Sequence, residues 1–262
     1  MPNSWRRWHT GALVVLVVAI GAVGFVVPAE SRRLGWFLTM ALMVAFLVIL
    51  GLGFKGRWEG ALIDDRNMMS LSRFQIIAWT VLTLSAFLTA ALGNLVAGLP
   101  DPLAVAIPED LWWLMGISTT SLVASPLLKA TKKSKEADDD ETTRANLPRD
   151  RVEGLLVLNT DPGQAHFSDM FRGEEIANST VLDVAKVQMF YFTVILVIAY
   201  GASLATAMGV FPITELPDMS GGMVALLGIS HAGYLTGKST TQTKVMSVPD
   251  STTSAPRASR RR

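Results

Sequence analysis

Six stretches of the chain, residues 11–28, 34–54, 74–98, 111–128, 187–211 and 221–237, contain no Asp, Glu, Lys or Arg, and each runs for 17 residues or more. A hydrocarbon layer of about 30 Å is crossed by about 20 apolar residues at 1.5 Å each, so every stretch is of bilayer length. Helices buried inside soluble proteins are usually shorter and keep a polar stripe. With no water in the hydrocarbon layer, each segment must satisfy its own backbone, which makes helix the expected form. The short apolar and polar alternation of an outer-membrane barrel is missing, so a barrel is excluded. The expectation is an all-α membrane protein with six transmembrane helices.

Net charge is +1, yet the charges are distributed unevenly. If the N-terminus lies in the cytoplasm, 21 of the 23 Lys and Arg residues fall on the cytoplasmic side and only Arg32 and Arg33 lie outside. The reverse orientation inverts that ratio, so the positive-inside rule predicts both termini in the cytoplasm. Two of the outer loops carry Asp101, Glu109, Asp110, Glu215 and Asp218 and no basic residue. A second reading of the first stretch is a cleaved leader, with Arg6 and Arg7 before an apolar run that ends in Val27-Pro28-Ala29. Five helices of unchanged orientation would then remain. Cysteine is absent, which removes disulfides, thiol catalysis and Cys-based metal sites.

The chain divides into an N-terminal hairpin (1–54), a second hairpin (55–130), a charged linker (131–153), a third section with an interfacial segment and hairpin (154–238), and a basic tail (239–262). Residues 132–151 hold 12 charged side chains of nearly balanced sign and almost nothing apolar, as expected of a solvated linker. Residues 154–159 read as one short strand or a turn at the membrane surface. Phe167, Met170 and Phe171 have the spacing of a helix lying on the membrane over residues 164–177. The tail has no periodicity and is expected to be disordered.

The second and third hairpins read as copies of one another. At an offset of 113, Ser70-Leu71-Ser72-Arg73-Phe74-Gln75 lies on Asp183-Val184-Ala185-Lys186-Val187-Gln188, and Thr80-Val81 on Thr193-Val194. At an offset of 112, Leu114-Met115-Gly116-Ile117-Ser118 lies on Leu226-Leu227-Gly228-Ile229-Ser230. Both copies would enter from the same side, which makes a parallel repeat about an axis along the membrane normal. The strings Phe167 to Glu175, Asp183 to Met189 and Leu226 to Leu235 together resemble an uncharacterised family of bacterial multi-pass inner-membrane proteins. That resemblance implies a bacterial inner-membrane location and brings no activity, substrate or catalytic residue.

Candidate chemistry is sparse. His231 sits near mid-depth of the last stretch and reads either as a functional intramembrane group or as a neutral imidazole tying helices together. Ser118, Thr119, Thr120 and Ser121 fall at the equivalent depth of the other copy. With Ser230 and Tyr234 they either line a small path or serve packing. Arg73 with Gln75 and Lys186 with Gln188 are interfacial candidates, as gate or headgroup contacts or as caps and snorkelling anchors. His166, Asp169, Glu174 and Glu175 match no metal pattern and read as solvated charges. Phosphate loops, nucleophile elbows and paired membrane aspartates are missing, so no enzyme, cofactor or metal is expected. Nothing points to nucleic acid. The function expected is a structural or assembly component of a bacterial inner-membrane complex, with the bilayer and a membrane-protein partner or a second copy as its contacts. The alternative is a small channel or uncoupled transporter.

Overall fold

The computed structural model describes residues 5–246. Among the described residues the chain is mostly helical, with seven helices: α1 (Arg7–Val26), α2 (Arg32–Lys55), α3 (Leu71–Val96), α4 (Glu109–Lys133), the short α5 (Asp139–Arg144), α6 (Val184–Ala207) and α7 (Gly221–Ser239). Five of them, α1, α2, α3, α4 and α6, are long and apolar enough to cross a membrane. The sixth apolar stretch forms α7, which is 19 residues long and is not among the five.

Helix ends follow local chemistry. Ser70, Asp183 and Ser220 each precede a helix and accept a hydrogen bond from the backbone N–H three residues on, at Arg73, Lys186 and Met223. Gly56 ends α2 in the left-handed conformation, where a residue without Cβ has no penalty. Glu109 and Asp110 open α4 while Lys132 and Lys133 close it, each sign complementing the helix dipole.

Helix α3 is the hub, packing against α1, α2, α4 and α6, while α7 packs against α4 and α6. Its buried residues are mostly small, among them Ser85, Ala86, Thr89, Ala90 and Ala91, which lets neighbouring backbones come close. Trp36 on α2 donates its indole N–H to Ser85 Oγ at 2.9 Å in this contact. The apolar core gathers Trp36, Trp79, Leu111, Leu114, Tyr200, Leu204 and Leu227. At one end the loops are short and knitted together: Ala106 and residues 214–216 exchange backbone hydrogen bonds, and Asn94 holds both the C=O and the N–H of Ile213.

Polarity is inverted relative to a soluble bundle. Met223, Leu226 and Ile229 are exposed on α7 while Ser230, His231, Tyr234 and Lys238 are buried. Tyr191, Ile195 and Ile198 on α6 and Trp112, Trp113, Val123 and Leu127 on α4 are exposed as well. Contiguous exposed apolar surface of this extent is foreign to soluble monomers and compatible with a membrane location.

The other end of the bundle carries the long connections, and here several expectations need correction. No interfacial helix forms over 164–177: the segment is a run of 3-10 turns at 162–164, 167–171 and 176–178. Asp169 and Glu175 are buried there, so the segment is fastened inward and does not lie free on a surface. Residues 154–159 supply a strand, β2 (Leu156–Val157), paired antiparallel with β1 (Val152–Glu153). The charged linker is interrupted: Lys132 and Lys133 belong to α4, and residues 139–144 form α5. Of the tail, residues 240–246 pack against this end, Val245 bridging to Ala137. The remainder of the tail lies outside the described residues.

Candidate functional site: a buried ionic plate beneath a polar helix seam

The helices α4 and α7 meet along matched stripes. On α4 the buried positions are Leu111, Leu114, Ser118, Ser125, Lys129 and Lys132; on α7 they are Val224, Leu227, Ser230, His231, Tyr234 and Lys238. Both follow three- and four-residue spacing, the period of one helix face. Both also change character in the same direction, from aliphatic through hydroxyl to cationic. The seam is therefore dry at the short-loop end and ionic at the long-loop end.

Around the ionic end the loops place three carboxylates. Asp64 sits in a tight turn, its Oδ1 accepting the N–H groups of Arg66 (2.9 Å) and Met68 (3.2 Å). This turn aims Arg66 inward, where it donates to Val157 O and faces Glu174 at 3.5 Å. Lys129 donates to Asp64 Oδ2 at 2.6 Å. Asn67 and Asn159 clasp the two loops, each carboxamide N–H donating to the other residue's backbone carbonyl.

Glu174 Oε1 is the centre of the plate, facing Lys238 at 2.8 Å and Arg66 and Lys186 at 3.5 Å. Lys238 also reaches Tyr234 Oη (2.8 Å) and Ser125 Oγ (3.2 Å), which ties the plate to the seam. Glu175, 1% exposed, takes Lys132 at 2.6 Å on one oxygen and the backbone N–H groups of Gln242 and Thr243 on the other. Four long segments, 55–70, 129–133, 172–186 and 238–243, are thus joined through two adjacent glutamates.

These contacts set the charge states. Burial pushes the Asp64 carboxyl up, but Arg66 and Lys129 outweigh it and hold the group at about 2. Burial likewise raises Glu174, and Lys238, Arg66 and Lys186 bring it well below the usual carboxylate range. Both folded values are depressed, so their stabilising effect is full above about pH 5, where the unfolded groups are ionised, and is lost as pH falls from there through the folded values. For Asp64 the loss amounts to about 2 kcal/mol. Thermal melting of the detergent-solubilised chain should accordingly be flat from pH 7 to 5 and drop steeply below pH 4. Asp64→Asn should start lower and show a shallower drop; an unchanged acid limb in that variant would refute the assignment.

Above the plate, at mid-seam, Gln75 from α3 donates its amide to Thr193 Oγ1 on α6 at 2.7 Å and lies 3.2 Å from His231 Nε2. Thr193 passes its own hydroxyl proton to Met189 O. Four buried oxygens on α3 and α4, Gln75 Oε1, Ser72 Oγ, Thr83 Oγ1 and Ser118 Oγ, have no hydrogen-bond partner among the described residues.

The residues singled out in the sequence therefore separate. His231, Ser118, Ser230 and Tyr234 are buried on the seam, and Gln75 of α3 is buried against His231. Thr119 and Thr120 are exposed on the opposite side of α4, Thr120 bonding only its own helix carbonyl at Gly116, so neither joins the seam. Ser121 is helical, with its side chain outside what is described. Gln188 is exposed although its counterpart Gln75 is buried. Lys186 does not snorkel but is buried on Glu174 and on Arg172 O. Arg73 is half-buried, its guanidinium 3.5 Å from Ala61 O.

Sequence reasoning missed Asp64, Arg66, Lys129, Lys132 and Lys238, and it read Asp169, Glu174 and Glu175 as solvated charges, whereas the fold holds them on cations and backbone N–H groups, with Asp169 and Glu175 buried. One signal was available: Lys129, Lys132 and Lys238 continue the three- and four-residue stripes of their helices beyond the uncharged stretches. Comparisons of the chain with protein-family models, with curated proteins and with solved structures find no match.

Proposed function

We propose that the chain is a six-span, non-catalytic component of a bacterial inner-membrane assembly, with both termini and the ionic plate on the cytoplasmic side. The sixth span is α7: at 1.5 Å per residue its 19 residues reach about 28 Å, and its polar side chains turn away from the lipid-facing Met223, Leu226 and Ile229. The orientation rests on the basic residues that collect at the plate end. A duplicated hairpin is supported by α3 packing on α6 and α4 on α7, and by the burial of both Ser118 and Ser230. The unlike settings of Gln75 and Gln188 mean that any duplication has diverged at the plate end.

The observation that carries the reading is the closure of the polar interior. Each plate carboxylate is held by cations or backbone N–H groups, and the apolar layer of Trp79, Leu111, Leu114 and Leu227 lies along the seam beyond His231. Such an interior fastens loops to helices and presents a rigid face with the charged α5 segment on it. A second reading, a narrow solute path, draws on the unpartnered oxygens of Gln75 and Ser118.

Reconstitution separates the two. Purified chain in liposomes is expected to pass no more water, proton or small solute than protein-free vesicles, and mild solubilisation to retain a stoichiometric membrane partner or second copy. A wild-type flux that falls in Ser118→Ala or His231→Ala would replace the assembly reading with the path.

A further inference from the structure

Between α1, α2 and α3 runs an open groove of about 300 Å³ whose walls include Val17, Ile20, Phe46, Leu47, Ile76 and Ile77. It continues toward the plate end into a second cavity of about 440 Å³, and Leu47 and Ile77 line both. Their sizes are those of ligand sites rather than packing defects. The second cavity is also walled mainly by apolar side chains but, unlike the first, carries charged ones, Lys55, Arg73, Asp64 and Asp65.

The two carboxylates are committed elsewhere. Asp64 is taken by Lys129 and Arg66, and Asp65 faces Lys133 at 3.2 Å and Lys129 at 3.9 Å. The two cations are not committed in the same way. Lys55 donates to the neutral oxygens of Asp64 O and Asn67 Oδ1, and Arg73 has one long contact to a carbonyl; neither has a carboxylate within 4.0 Å among the described ion pairs. Both are half-buried at the level where α2 ends and α3 begins. An apolar slot of bilayer orientation thus opens onto two under-neutralised cations at the depth of lipid phosphates. Guanidinium presents paired donors to a phosphate, and basic groups at this level draw anionic lipid.

We propose that this composite cleft binds one anionic phospholipid, an acyl chain lying in the α1/α2/α3 groove and the phosphate meeting Arg73 and Lys55. The inference rests on the membrane placement proposed above, but not on the assembly role, which stands or falls separately by flux and copurification.

Native mass spectrometry of the full chain in detergent tests it, with dioleoylphosphatidylglycerol, dioleoylphosphatidylcholine or inorganic phosphate added. One phosphatidylglycerol is expected to stay bound, with phosphatidylcholine retained about tenfold less, because its choline cation neutralises the headgroup and sets a like charge beside Arg73 and Lys55. Arg73→Gln and Lys55→Gln should each reduce retention several-fold, Arg73→Lys should recover part of it, and Ile77→Trp should block the groove with both cations intact. Circular dichroism melting without lipid identifies any variant that has simply unfolded, and Ile77→Trp supplies the test if the charge variants do. Equal retention of the two lipids, or a phosphatidylglycerol signal unchanged in the folded variants, would overturn the proposal. Retention of inorganic phosphate that displaces the lipid would replace it with a free-anion site.

Discussion

Glu174→Gln is expected to destabilise the chain by about 3–5 kcal/mol, the loss found when one partner of a buried ion pair is removed and the other charges stay behind. Three cations converge on one oxygen of Glu174, and all three, Arg66, Lys186 and Lys238, are themselves buried. Gln keeps the shape and a carbonyl acceptor but removes the charge that allows the cations to stay out of water. The effect should appear as a lowered denaturation midpoint in mild detergent. It should also be partly reversed by Lys238→Met, which deletes one of the stranded cations while keeping an unbranched side chain one atom shorter. A double-mutant cycle measures this directly: strictly additive losses would mean that Glu174 and Lys238 do not interact in the folded chain. A neutral outcome for Glu174→Gln alone would remove the plate as a stabilising element.

Gly154→Ala should cost about 3 kcal/mol, although it adds only a methyl group and touches no charge. Gly154 follows β1 with φ of +62°, in the left-handed region that residues with a Cβ avoid. The space is also taken: a Cβ there would lie 2.5 Å from Lys133 O and 2.6 Å from Lys132 O, both backbone atoms at the end of α4. Relief requires the β1–β2 turn to move off the helix end, which breaks the hydrogen bond from Leu155 N to Lys132 O and shifts Lys132 away from Glu175. Gly56→Ala is the internal control. Its φ is +68° and a methyl there would meet no atom within 4 Å, so it should cost only the conformational part, about 1 kcal/mol. If the two substitutions prove equal in a melting experiment, the close approach at α4 is not a constraint.

The contrast between what could and could not be read from the chain has a physical cause. Each of the six uncharged stretches holds one long helix, because bilayer length and uniform apolarity are local properties that a short window contains in full. Polar residues inside those stretches were legible too: His231, Gln75 and Ser118 stand out against an apolar background, and all three are buried. Thr119 and Thr120 stood out equally and face outward, since their hydroxyls can return to the carbonyl of the preceding turn and cost little in lipid. The plate was not legible. Its pairs join residues far apart in sequence, Asp64 with Lys129 and Glu174 with Lys238, and composition cannot distinguish a paired charge from a solvated one. Residues 164–177 show the same limit. Phe167, Met170 and Phe171 carry helical spacing, but Asp169 accepts the N–H groups of Met69 and His166, and that tertiary bond holds the segment in tight turns.

The adjacency of Glu174 and Glu175 has a consequence for the order in which the molecule can be completed. Their partners come from residues 66, 132 and 186, and finally from 238, 242 and 243, which leave a ribosome after all the others. Until α7 arrives, Glu174 lacks its shortest cation contact and Glu175 both of its backbone donors, with a cleft of carboxylate and ammonium open to water between the earlier helices. The final described helix is therefore a keystone: its arrival locks three earlier segments in a single event. A nascent chain that stalls short of it displays an unfinished charged face, which distinguishes it from the finished protein to any quality-control factor that reads surface charge.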